Sequence, residues 1–112
     1  MTVAEEHRLN AGVIRRDFLD GLNAMTDARA EELRQPLTEH VRALVPAVRA
    51  LLPYMEPRRR QQAEHCLKRA AETLELVAAV TPLTPIGRTH DLAVSARALL
   101  VLYRRPGFPE TD

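Results

Sequence analysis

Apolar residues between Leu37 and Tyr103 recur at steps of three and four, and proline or glycine punctuates each place where a run stops. One run is Leu37, Val41, Leu44, Val48 and Leu51. A second is Ala63, Leu67, Ala70, Leu74 and Val77, and a third is Leu92, Ala96, Leu99 and Tyr103. This is the spacing of one face of an α-helix, and no comparable stretch alternates with the period of two that a strand requires. The pattern predicts an all-α protein: an antiparallel four-helix bundle of three long helices and a less regular N-terminal one.

The first helix is expected to start near Ala4 or Asn10 and to run to Asn23, with Ile14, Phe18, Leu22 and Met25 on its inner side. Gly12 and Gly21 each weaken it by up to ~1 kcal/mol relative to alanine. Thr26 and Asp27 end it and can cap a short continuation through Glu31, Glu32 and Leu33. The second helix is expected over 37–52, with Pro36 at its first position and Pro46 inside it. An interior proline removes one backbone hydrogen bond and collides with the carbonyl four residues earlier, so a kink is expected at Pro46. Pro57 opens a third helix reaching about Val80, whose outer face carries Arg60, Glu64, Lys68 and Glu72 as an alternating ladder. Residues 81–85 form a stiff connector in which Thr84 caps and Pro85 starts the fourth helix. That helix ends near Arg104 or Arg105, where positive charge suits its terminus. Residues 1–112 are expected to form one domain, with 106–112 frayed.

The fourth helix departs from simple amphipathicity. Leu92, Ala96, Leu99, Leu100 and Tyr103 cover one side, while Val94, Ala98 and Val101 cluster near the opposite one at about 100° per residue. A helix apolar on both sides is expected to be buried on both. Val94, Ala98 and Val101 are therefore candidate interface residues. Either the N-terminal segment covers them or a second protein chain does, most simply a copy in a two-fold dimer.

Composition narrows the function. The 16 basic and 15 acidic residues leave a formal charge of +1, so no global field draws the chain to nucleic acid or an anionic membrane. Of the basic residues only Lys68 is lysine, a skew that fits the codon usage of a GC-rich genome. The single Cys66 excludes an internal disulfide and fits a reducing cytoplasm. The first ten residues are charged and lack a signal peptide's apolar core. No apolar run approaches the roughly 20 residues that span a bilayer. The expectation is a cytoplasmic domain with no membrane contact. The four glycines are scattered rather than clustered, which argues against phosphate-cradling loops. Phe18, Tyr54, Tyr103 and Phe108 are too few and too dispersed to build stacking platforms for bases or flat cofactors.

Candidate chemistry is sparse. His and acid are adjacent at Glu39-His40, Glu64-His65 and His90-Asp91, but neighbours on a helix point about 100° apart and cannot face one ion together. The Glu-x-x-His spacing of di-metal bundles is absent, since residues 37, 62 and 87 are Leu, Gln and Gly. No metal, no cofactor and no catalytic residue is assigned. His40 and His90 lie beside apolar stripes and are the candidate ligand-binding residues, in a pocket at the Pro46 kink. Ser95 stands mid-helix without a nucleophile elbow and is expected to bond the carbonyl of Asp91. Cys66 belongs to a core face, where a thiol stays protonated and inert. Arg58, Arg59 and Arg60 form the one charge run. They are either a contact for an anion or phosphate backbone, or a solvated turn partly neutralised by Glu56 and Glu64. Helix-turn-helix readers need a tight turn between helices, and the connectors here are proline-rich.

Three blocks look familiar together. They are Leu37-Thr38-Glu39-His40-Val41-Arg42-Ala43-Leu44-Val45-Pro46, then Ala63-Glu64-His65-Cys66-Leu67-Lys68-Arg69-Ala70, then Leu92-Ala93-Val94-Ser95-Ala96-Arg97-Ala98-Leu99-Leu100. Over the last two-thirds of its length the chain resembles a family of small helical actinobacterial proteins of unknown function, loosely labelled natural-product biosynthesis proteins. The resemblance implies a helical fold and a secondary-metabolism context; it implies no reaction and carries over no site residue. The leading expectation is a non-enzymatic helical interaction or accessory protein whose partner is another chain. A small ligand-binding or catalytic bundle near Pro46 and His40 is the first alternative, and a nucleic-acid-binding regulator resting on the three arginines is the second.

Overall fold

In a computed structural model, which describes residues 10–78 and 84–104, four α-helices pack together and no strand occurs among the described residues. They are α1 (Ala11–Leu22), α2 (Asp27–Leu51), α3 (Pro57–Ala78) and α4 (Pro85–Arg104), with one 3-10 turn at Leu52–Tyr54 between α2 and α3. A start at Ala4, an end at Val80, the rest of the 81–85 connector before Thr84, and the 106–112 tail lie outside the described residues.

Caps set the helix starts. Asn10 Oδ1 accepts the Val13 amide at 3.1 Å, which opens α1. Thr26 Oγ1 accepts the Arg29 amide at 3.2 Å, and Thr84 Oγ1 accepts that of Gly87 at 3.0 Å. Pro57 and Pro85 stand first in α3 and α4, where a missing N–H costs nothing.

The second helix is longer than its sequence pattern predicts. It begins ten residues before the expected start, at Asp27, and Pro36 lies in its interior beside Pro46. Thr26 therefore starts α2 and does not extend α1. Burial explains why the helix continues. Ala30, Leu33, Leu37, Val41, Leu44 and Val48 form one unbroken buried stripe across Pro36. Its five Leu and Val side chains contribute ~1.5–3 kcal/mol each, against about 3 kcal/mol for each interior proline. The carbonyls that lose a partner belong to Glu32 and Arg42, both exposed residues whose backbone water can serve.

The most enclosed helix is α4. It touches α1, α2 and α3, while α1 and α3 do not touch each other. Its buried arc is Thr89, Leu92, Ala93, Ala96, Leu99, Leu100 and Leu102. Small residues let the helices close in. A Cβ on Gly21 would lie 2.8 Å from Leu37 Cδ1 and 3.0 Å from Ala93 Cβ, so this glycine is where α1 meets α2 and α4. Thr89 is fully buried and donates its hydroxyl to the Ala30 carbonyl at 2.7 Å, an α4–α2 bond inside the core. Leu44, Val48, Leu67, Leu99 and Leu100 are buried as their stripes predict. Leu74 is only half-buried, because it lies near the α3 end. Met25 lies beyond α1 in the connector and is 88% exposed, so it does not extend the α1 stripe.

Candidate functional site

Two places on this frame bring chemistry together. The first is a cleft of about 560 Å³ between α1 and α2. At its edge His40 on α2 meets Asp17 on α1, with Nε2 2.7 Å from Oδ2 and side chains only 12% and 10% exposed. An ionised carboxylate only accepts, so the imidazole Nε2–H donates to it. Arg16 adds a longer contact to Asp17 Oδ1 at 3.4 Å. One turn along α1, Asp20 accepts from Arg29 at 3.0 Å, and Arg29 also holds Glu32 at 3.0 Å.

Asp17 is the residue the sequence reading passes over. It shares the buried arc of α1 with Ile14, Phe18 and Gly21. A carboxylate on a buried arc needs a partner from another element, and that was the available signal. The cleft also corrects the expected pocket. It is lined by Pro36, four residues before His40, and not by Pro46, which is exposed on another side of α2. His90 is exposed on α4 and does not line this cleft. Among the described residues the lining carries no Ser, Thr, Cys or Tyr; of its four carboxylates Asp17, Asp20 and Glu32 are held by His40, Arg16 and Arg29, and Glu39 is exposed to solvent. Chemically this is an arrangement that clamps α1 onto α2.

The second place is the outer face of α3 and α4. Val94 and Val101 are 45% and 53% exposed, although α4 is packed on its other side by all three helices. With Ala98, Leu102 and the half-buried Cys66 they form the floor of a shallow groove of about 480 Å³, and Arg59 and Arg97 stand beside it. A second depression shares Val94 and continues along the same face past Asp91, Ser95 and Leu76. The expected interface residues Val94, Ala98 and Val101 thus lie together in one groove. None of the described residues of α1 lines it.

The remaining candidates disperse. Arg58 and Arg60 are exposed and Arg59 is half-buried, so the charge run does not present one cationic patch. Arg60 donates to the Met55 carbonyl at 3.2 Å and thereby braces the 3-10 turn. His65 is exposed. Burial pushes the Cys66 thiol above its ordinary pKa, and the nearby Arg69 opposes that shift without cancelling it. Among the described residues, no three His, Cys, Asp or Glu side chains gather so as to hold a metal ion. Nor is any described helix long and apolar enough to cross a membrane.

The fold and these two places define a small helical bundle with a clamped α1–α2 cleft and an open apolar face. Residues 14–107 match the model of a family of unknown function, DUF6415, and the chain belongs to that family. No curated protein and no solved structure matches it.

Proposed function

We propose that this chain is a non-enzymatic helical interaction protein that docks another protein chain across the α3–α4 face. The observation that carries the reading is the exposure of Val94 and Val101 on the helix that is otherwise the most enclosed of the four. Two half-exposed valines joined by Ala98 and Cys66 leave apolar surface in water, which association would remove. A role beside secondary metabolism or its regulation, in the cytoplasm, is part of this proposal, and the resemblance of the chain's last two-thirds to actinobacterial natural-product proteins is what supports that context. Arg59 and Arg97 at the rim supply polar contacts of the kind that fix a partner's register.

The test compares wild type with Val101→Glu, both checked for helical content by circular dichroism. Proteins recovered with tagged wild type from its native host are purified and rebound to each form. The reading requires a complex, with itself or with another chain, that Val101→Glu dissolves. If both forms stay alone, or both hold the same proteins equally, the reading is wrong.

A second reading, a ligand-binding bundle, draws on the α1–α2 cleft with His40 at its edge. Imidazole NMR shifts of His40 that stay fixed across a metabolite panel would remove it.

A further inference from the structure

We infer that the turn end of the bundle binds single-stranded nucleic acid, with Arg42, Arg49 and Arg58 on its phosphates and Tyr54 against an unpaired base. This end is a different surface from the α3–α4 groove, and the inference holds whatever that groove docks.

The formal charge of +1 conceals a segregation that only the fold assembles. Arg59, Gln62 and Cys66 of α3 share a groove with Arg97, Val101 and Leu102 of α4, while Glu72 and Leu76 share the next depression with Asp91, so the two helices run antiparallel. The tight 3-10 turn makes α3 antiparallel to α2 as well. The end of α2, the start of α3 and the end of α4 therefore lie together. Residues 40–63 and 92–104, which belong to this half, carry seven arginines and one acid, Glu56. Residues 20–35 and 64–91, in the other half, carry eight acids and five bases. The two halves also treat their cations differently. Arg29 and Arg34 in the acidic half are held by carboxylates at 3.0–3.2 Å. Arg42, Arg49 and Arg58 are exposed, and none of the three forms an ion pair among the described residues.

Arg58, Arg59 and Arg60 splay around the start of α3, so that run alone makes no patch. Arg42 and Arg49, seven residues apart and so on one face of α2, extend the positive surface across the turn. The first turn of α3 is where the macrodipole favours acids, yet it holds none, so dipole and arginines add to one positive field. Tyr54 decides the class of polyanion. It is 69% exposed in the turn between Arg49 and Arg58, while Met55 beside it is 3% exposed and anchors that turn in the core. A held turn thus presents an aromatic ring among guanidinium groups. A single strand offers what both need, phosphates for the arginine forks and a free base face for the ring. An acidic peptide offers only the first, and a duplex keeps its bases stacked on one another.

The experiment is fluorescence anisotropy with labelled oligothymidylate and oligouridylate of about 15 nucleotides, enough for one site. Wild type is expected to bind at low salt, the logarithm of its affinity falling against that of salt with a slope of about −2, as three phosphate contacts give. Arg49→Gln and Arg58→Gln should each flatten that slope by about 0.7. Tyr54→Ala should weaken binding about tenfold and leave the slope unchanged. Arg69→Gln, exposed in the acidic half, should alter neither. Circular dichroism checks each fold, and for a variant that does not fold, amide shifts of wild type on adding oligothymidylate take its place; they should centre on residues 49–60. Binding to either strand supports the inference, and the tighter one identifies the source. No binding at low salt overturns it. So does a loss on Arg69→Gln equal to that on Arg49→Gln, or a Tyr54→Ala that binds as wild type does. Polyglutamate that displaces the strand at equal charge would assign this end to an acidic polypeptide and overturn the inference too.

Discussion

His40 on α2 and Asp17 on α1, 23 positions apart in sequence, meet at 2.7 Å with both side chains nearly out of water. The pair holds the shortest helix against the longest. Removing either member leaves the other buried without its partner, so Asp17→Ala and His40→Ala should each cost ~1–3 kcal/mol. Because the two act as one unit, the double variant should cost less than the sum of the singles, with a coupling of ~0.5–3 kcal/mol. Urea unfolding of the four proteins measures this, and strict additivity would show the pair to be incidental.

Gly21 and Gly12 form a matched comparison. Alanine favours a helix interior over glycine by up to ~1 kcal/mol. At Gly12 the new methyl would meet, among the described residues, only Asn10 Oδ1, at 3.4 Å, so Gly12→Ala should be neutral or slightly stabilising. At Gly21 it would strike Leu37 and Ala93, both fully buried, and overpacking there costs ~1–3 kcal/mol. Gly21→Ala should therefore lower the melting temperature although it improves helix propensity. Equal melting temperatures for the two variants would contradict the α1 packing.

Core truncations should follow burial and not stripe position alone. Leu44→Ala and Leu99→Ala remove fully buried side chains and should cost ~2–5 kcal/mol. Leu74→Ala, from a half-buried site, should cost clearly less. Denaturation midpoints that place Leu74 level with Leu99 would mean that α3 is rotated or extended relative to this packing.

Cys66 gives a pH dependence. Burial raises its thiol pKa above the ordinary 9.0, so the folded chain holds this proton more tightly than the unfolded one. The associated stability is fully present below pH 9.0 and is lost as pH rises through the higher folded value. Wild type should thus lose stability relative to Cys66→Ser above that pH. Iodoacetamide should also label the native thiol more slowly than the unfolded one at neutral pH. Equal labelling rates would place the thiol in open solvent.

Much of the fold is legible in periodicity. The stripes of α2, α3 and α4 are visible because each buries one row of Leu, Val and Ala. The early start of α2 is hidden by Pro36, a strong local signal that the Ala30–Leu33–Leu37 register overrides through tertiary burial. The Asp17–His40 clamp is half legible. His40 stands out beside Leu37 and Leu44, but its partner lies on another helix, and one sequence does not reveal which carboxylate arrives. His90 sits near an apolar stripe in sequence yet is exposed in the fold, since it falls on the outer edge of α4. The two-sided apolar character of α4 is readable directly, and the exposed sides of Val94 and Val101 are its consequence. The groove itself is not readable there, because its lining is spread over two helices and comes together only once α3 lies beside α4.

The central claim, that the α3–α4 face docks a protein chain, is tested most directly by particle size. The measurement is the mass of the species carrying this chain in its native host's extract, by size exclusion with light scattering, for wild type beside Val101→Glu. The account predicts a wild-type particle heavier than one chain and a folded Val101→Glu particle of one chain only. Two particles of one chain each would contradict it.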